Sequence, residues 1–299
     1  MKKLFLIAAA VSMTAVSAFA QAQAGADRQL PAGWDELTGP DFKLAVEQAE
    51  GVCVIPMGVV EKHGPHMPLG TDVFSAREVA RRAVADEYAV VYPFYFVGQI
   101  HEAKQQPGTI AYSPELVYRM LEETCEEISR NGMKKIILNN SHGGNTTFLE
   151  YFCQSQLAAR KDYVVYLFQP SVDRETAQRI RELRKSETGG HADEVETSTL
   201  IVAKPDLMRM ETVNDESGED LNRLDVPNLY TGIWWYAKYP NHYAGESSGA
   251  SVELGEVALA QKSAQLAEVI RTVKRDADAL KLQDEFFRQS DEPLKTPIW

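Results

Sequence analysis

Short, uninterrupted apolar runs alternate along the chain with longer stretches in which apolar residues recur every three or four positions. Val52-Cys53-Val54-Ile55-Pro56 begins an apolar run that continues to Val60 and predicts a buried strand. Val73, Ala76, Val79, Ala80 and Ala83 make a helical stripe from Asp72 to Glu87, and Ala89-Val90-Val91-Tyr92 predicts a second strand. Ser113-Pro114 opens another helix, with proline at the first position, where its missing N–H costs nothing. Leu116, Met120, Leu121, Thr124 and Ile128 carry that helix to about Arg130, and Asn131-Gly132 ends it. Lys135-Ile136-Ile137-Leu138-Asn139 and Tyr163 to Phe168 are the third and fourth strands, with a helix between them reaching about Arg160. Further helices are expected at Asp41 to Glu50, over 172–185, at Glu194 to Val202 and, as one long element, at Glu253 to Leu282. Residues 211–250 and the tail to Trp299 read as irregular. Strands alternating with helices predict βαβ units on a mostly parallel sheet, an α/β fold built as a three-layer αβα sandwich.

The first twenty residues stand outside this alternation. Lys2 and Lys3, an apolar segment from Leu4 to Val16 and the small-x-small site Ala18-Phe19-Ala20 make a cleavable signal peptide over 1–20, with Ala22-Gln23-Ala24 as a second cleavage option. The apolar segment is too short to span a bilayer, so no membrane anchor is expected and the protein is read as periplasmic or secreted. Residues 21–33, rich in Gln, Ala and Gly, are expected to be flexible, leaving 34–299 as a single catalytic domain. A formal charge of −12 excludes sequence-independent nucleic-acid binding, which needs a basic surface. Cys53, Cys125 and Cys153 are too few, and odd in number, for a disulfide framework; they are expected as buried apolar side chains.

Chemistry enters at the ends of the strands, where open α/β sheets bind their ligands. Four polar clusters fall there or in loops: 61–72, 99–109, 139–145 and 188–198. Glu61 and His63, two apart, share a face of an extended segment, and Asp72 follows nine later at a helix start. Carboxylate with neutral imidazole is the ligand mix of Zn, Mn and Fe(II) sites. The structural alternative is a solvated turn, with Asp72 complementing the helix dipole for about 0.3–1 kcal/mol. His142 lies in a turn where Gly143 and Gly144 allow close approach of the backbone. In His191-Ala192-Asp193-Glu194-Val195-Glu196, Asp193 is an N-cap candidate with Glu196 closing a capping box; the functional alternative makes His191 a proton donor and Glu196 a ligand or base.

Together these segments resemble the creatininase (creatinine amidohydrolase) family over roughly residues 34–275. Gly58-Val59-Val60-Glu61-Lys62-His63-Gly64-Pro65-His66-Met67-Pro68-Leu69-Gly70-Thr71-Asp72 is similar to its metal-binding signature. Pro107-Gly108-Thr109 resembles its PGT turn. Asn140-Ser141-His142-Gly143-Gly144-Asn145 resembles its NGHGGN turn, with Ser141 in place of Gly. His191 to Ser198 resembles its HAGExETS segment, with Asp193 in place of Gly. The resemblance implies a creatininase-like fold, a homo-oligomer that is often a hexamer, and two divalent ions (Zn, Mn or Fe) per subunit. Asp72 would bridge them, Glu61 and His142 would complete one, and His63 would hold the other. Creatinine-cleaving members carry a glutamate ligand two residues after the His142 equivalent. Gly144 stands there in this chain, which places it in the HGGN-type branch, whose members act on other amides, and leaves Glu196 as the replacement ligand. Otherwise Glu196 orients His191 or the water. His66 is assigned a structural role.

The implied activity is hydrolysis of a small-molecule substrate at a non-peptide, cyclic amide C–N bond by metal-activated water, with His191 protonating the departing nitrogen. The alternative from another class is a non-catalytic periplasmic protein that binds metal or a small molecule on the same fold. Gly245-Glu246-Ser247-Ser248-Gly249 fits the G-x-S-x-G nucleophile pattern, but the last histidine, His242, precedes Ser247 and no strong strand leads into Gly245. That segment is read instead as a substrate-side or subunit-contact loop. Trp234, Trp235, Tyr236 and Tyr239 are read as lining for a flat substrate, as core, or as an oligomer contact.

Overall fold

Four strands, β1 (Val52–Met57), β2 (Val90–Val91), β3 (Lys135–Asn140) and β4 (Val164–Leu167), pair in the order β2-β1-β3-β4, all parallel. The computed structural model describes residues 30–297; the expected signal peptide, 1–20, and the expected flexible segment as far as residue 29 lie outside the described residues. The helices are α1 (Gly39–Gln48), α2 (Thr71–Asp86), α3 (Pro114–Arg130), α4 (Thr146–Ser155), α5 (Arg174–Leu183), α6 (Glu194–Ala203), α7 (Trp234–Lys238), α8 (Val252–Arg275) and α9 (Ala279–Asp291). No helix among the described residues is long and apolar enough to cross a membrane.

Strand alternation divides the core into two layers. Val52, Val54, Val91 and Ile137 pack with Val79, Ala80 and Ala83 of α2 and with Leu259, Leu266 and Ile270 of α8. Cys53, Ile55, Ile136 and Leu138, also fully buried, alternate to the opposite face, where α3 and α4 contact β3 and β4. Each fully buried Leu or Ile side chain contributes about 1.5–3 kcal/mol. The α/β fold with helices on a parallel sheet is therefore as the sequence predicts. Cys53, Cys125 and Cys153 are free thiols.

Two expectations need correction. The second strand shrinks to Val90–Val91 because Tyr92 and Pro93 leave the ladder after one further bond, Tyr92 N–H to Val54 O at 2.8 Å. The expected helix from Glu253 to Leu282 is two helices. Its break falls at Asp276, whose carboxylate accepts the backbone N–H groups of Asp278 (2.8 Å) and Ala279 (3.1 Å). A short acidic side chain that bonds the backbone locally competes with helix continuation. A new helix, α9, then runs into the tail expected to be irregular and buries Phe287.

The topology singles out one crevice. The chain goes from β1 through α2 to β2 on one side, then returns to β3 on the other side of β1. Strand order reverses between β1 and β3, and the carboxyl ends at such a switch point are where α/β sheets place ligands. Met57 and Asn140, the last residues of the two strands, are register partners.

Candidate metal centre

The loop leaving β1 turns back sharply into α2. Gly58 permits this, since a Cβ there would lie 2.4 Å from that of Asp72 and 2.6 Å from the Val73 nitrogen. The close approach carries Asp72, in the first turn of α2, over the strand end, where its Oδ2 accepts the Val59 N–H at 3.3 Å. Leu69 O accepts the Glu61 N–H at 3.0 Å, closing the loop and turning Glu61 and His63 inward. The PGT turn braces it from outside: Ile110 N–H bonds Val60 O at 3.0 Å, and Gly108 (φ 83°) lies against Leu69.

Four separate segments converge here. Glu61, Asp72 and His142 bring ligand atoms within 4.8 Å of one another; so do His63, Asp72 and Glu196, and so do Glu61, His63 and His191. Asp72 belongs to two of these sets through different oxygens. Its Oδ1 faces His63 Nε2 at 3.1 Å and its Oδ2 faces His142 Nδ1, also at 3.1 Å. Glu61 Oε1 lies 2.7 Å from His142 Nδ1 and 3.9 Å from His63 Nε2, yet it is buried with no hydrogen-bond partner. His142 reaches inward because its Nε2 bonds the Gln99 carbonyl at 2.8 Å, so its Nδ1 faces the carboxylates. Every site residue expected from the sequence is thus in one place. His66 is turned away onto Thr197 Oγ1 at 2.8 Å.

Gly144 does not leave an empty ligand position. A Cβ there would meet His142 Nε2 at 2.5 Å and Glu102 Oε1 at 2.8 Å, so a larger residue would displace the histidine. Glu196 instead approaches from the α6 side. Asp193 caps α6 by accepting from Val195 and Glu196 N–H, both at 3.0 Å. The expected capping box is only half formed, because Glu196 Oε2 accepts the Ala192 N–H at 2.5 Å rather than that of Asp193.

The electrostatics follow from packing the buried imidazoles of His63, His142 and His191 against the buried carboxylates of Glu61 and Asp72 and the half-buried one of Glu196. Burial would raise Glu61, but His142 and His191 beside it hold it well below the usual carboxylate range. Burial would lower His63, yet the Asp72 carboxylate carries it to about 10. Burial is likewise outweighed at His142, which Glu61 and Asp72 raise well above its ordinary value. Burial, with His63 adding repulsion, drops His191 to about 3. Burial also lifts Glu196 to about 7 against the pull of His63. Without metal the site is therefore balanced by imidazolium protons. Since burying an ion costs several kcal/mol, such a cluster is a functional feature before it is a stabilising one.

Sequence reasoning missed His242 as a site residue. It is buried, and its Nε2 donates to Glu61 Oε2 in a short hydrogen bond. Its backbone is left-handed (φ 58°), a conformation that costs a non-glycine residue about 1 kcal/mol or more. Lying 181 residues from Glu61, it carried no spacing signal. The G-x-S-x-G segment has a structural explanation: Ser247 is buried and donates to the Ala192 carbonyl, while His191 and Ala244 pair through their backbones at 3.1 and 3.0 Å.

The creatininase family model, described as creatinine amidohydrolase, matches residues 35–270. The chain is similar to a creatinine amidohydrolase of Pseudomonas putida, 26% identical over 206 residues that cover 64% of this chain and 79% of that one. It is also similar to a mycofactocin precursor peptide peptidase of Mycolicibacterium smegmatis, 35% identical over 104 residues, 33% of this chain and 42% of that one. Among solved structures, a manganese creatininase shares the fold at a TM-score of 0.67 and 22% identity, over 82% of this chain and 99% of that one.

Proposed function

The chain belongs to the creatininase family, and from that premise we propose an exported, metal-dependent amidohydrolase of the HGGN-type branch that opens a non-peptide, cyclic amide C–N bond in a small molecule. Export rests on the leader pattern of residues 1–20. The branch assignment is supported by Asn140 to Asn145 and by the packing that keeps Gly144 small. The observation that carries the metal reading is Asp72, whose two oxygens serve two separate donor sets.

The residues fit a pair of divalent cations. Glu61 Oε1 is a buried acceptor with no partner, and the donor set of carboxylates and imidazoles suits Zn, Mn or Fe(II). Glu61, Asp72 and His142 would hold one ion, and His63, Asp72 and Glu196 the other. Divalent metal supplies Lewis acidity and an acidified water at neutral pH. The protein supplies position and proton traffic. His191 is neutral near pH 7, and its Nε2–H donates to Lys62 O at 2.8 Å, leaving Nδ1 unprotonated. His191 would be the residue that hands a proton to the departing amide nitrogen, a role supported by its place beside Glu61 and His63.

Leu229, Tyr230 and Ile233, 74, 84 and 55% exposed, form an apolar run that supports a homo-oligomer, which light scattering would detect as a mass above one chain. The function is tested by metal analysis followed by a panel of amides, lactams and short peptides on wild type and His142→Ala. Lactam turnover that depends on metal and on His142 is expected. Turnover of peptides alone would move the substrate to the peptide class, and no metal with no turnover would favour a binding protein.

A further inference from the structure

Two residues outside both donor sets form a hydrogen-bond chain that ends on the Glu61 carboxylate. The Trp235 indole N–H donates to His242 Nδ1 at 2.7 Å. With Nδ1 accepting, the ring proton lies on Nε2, and Nε2 donates to Glu61 Oε2. That leaves Oε1, the oxygen with no hydrogen-bond partner, facing His142 Nδ1. Trp235 also presses its ring edge on His191 (centroids 5.8 Å, planes at 90°) and on His242 (5.6 Å, 72°).

We propose that Trp235 and His242 are positioning residues for the metal centre: the indole fixes the tautomer of His242, and His242 fixes which oxygen of Glu61 is offered to metal. Metal ligands are commonly oriented in this way by a hydrogen-bonded partner, whose loss lowers metal affinity about 10–100-fold. Here the device begins in α7, a five-residue helix in the irregular stretch. The neighbours of Trp235, Ile233 and Tyr236, line a cavity of about 940 Å³ that also holds Gln99, Glu102 and Gly144. One short element therefore borders both a cavity large enough for a small molecule and the hydrogen-bond chain to Glu61. The inference rests on the metal reading of Glu61 given above.

The test uses the full-length protein loaded with Co²⁺, followed by calorimetry and by the visible spectrum of the ion. His242→Ala is expected to weaken binding at the Glu61 position about 10–100-fold and to change the spectrum. His242→Gln, whose amide can still donate to Glu61 and has no tautomers, is expected to restore most of the affinity. Trp235→Phe keeps the ring and loses only the N–H. It should weaken Co²⁺ in the wild-type background and do nothing further beside His242→Gln. In ¹⁵N spectra of the imidazoles, His242 should be the Nε2–H tautomer in wild type and a mixture in Trp235→Phe. Wild-type affinity and spectrum in both His242→Ala and Trp235→Phe would overturn the proposal and leave the metal reading standing. An equal loss from Trp235→Phe in both backgrounds would also overturn it, by showing a packing role. A wild type that binds no Co²⁺ would overturn the proposal and the metal reading together.

Discussion

Glu61 Oε1 and His142 Nδ1 stand 2.7 Å apart with no hydrogen bond between them. Two buried polar atoms this close would normally share a proton along the bond. Here the carboxylate oxygen is left without a partner, and Asp72 Oδ2 approaches the same nitrogen at 3.1 Å. Three ligand atoms within 4.8 Å of one another, one of them a buried oxygen without a hydrogen bond, have the chemistry a divalent cation would take. The second set, His63 and Glu196 around the other oxygen of Asp72, differs in that His63 Nε2 and Asp72 Oδ1 are hydrogen-bonded at 3.1 Å.

Metal affinity should fall as pH falls. His63 is raised to about 10 by Asp72 against burial, so it holds a proton at pH 7 when metal is absent, and Glu61 and Asp72 shift His142 upward in the same direction. Bound metal replaces those protons, and Glu196, raised to about 7, gives up a partial one. The apparent association constant should therefore rise with pH below about 10, roughly tenfold per unit for each displaced proton. Calorimetry in buffers of different ionisation enthalpy will show proton release; no release would mean the imidazoles are not displaced.

Removing one member of each donor set should remove one ion. Glu196→Gln is expected to leave the ion held by Glu61 and His142, and His142→Ala to leave the one held by His63 and Glu196. Metal content per chain, measured after dialysis, should drop from two to one in each variant. A full complement of two in Glu196→Gln would exclude Glu196 as a ligand.

Gly144→Ala tests how tightly the histidine is packed. The added Cβ would sit 2.5 Å from His142 Nε2 and 3.2 Å from the Gln99 carbonyl, so His142 must shift and its bond to Gln99 O must weaken. An affinity loss of about 10–100-fold with little change in Tm is expected. Unchanged metal binding would show that the ring has room to move.

How much of this was legible in the sequence depends on range. Local patterns were read well: proline at the start of α3, Asp193 capping α6, and the uninterrupted apolar runs of the buried strands β1 and β3. Glu61, His63 and Asp72 were legible because they fall within twelve residues of one loop. The end of the helix at Asp276 was not, since the side-chain bonds to Asp278 and Ala279 compete with an otherwise continuous helical pattern. His242 and Gln99 were also hidden. One acts from an irregular segment far along the chain and the other through a backbone carbonyl, which no residue identity reports.

The serine motif should prove silent in catalysis. Ser247 donates to Ala192 O beneath the His191 segment and is buried. Ser247→Ala is expected to cost about 1 kcal/mol of stability while leaving kcat within about threefold of wild type. Loss of activity without loss of stability would reopen a role for the hydroxyl.

The most decisive observation is anomalous diffraction from crystals of the protein reconstituted with manganese or zinc. Two peaks flanking the Asp72 carboxylate are expected, one bounded by Glu61 and His142 and the other by His63 and Glu196. A single peak away from Asp72, or no peak at saturating metal, would contradict a centre bridged by that residue.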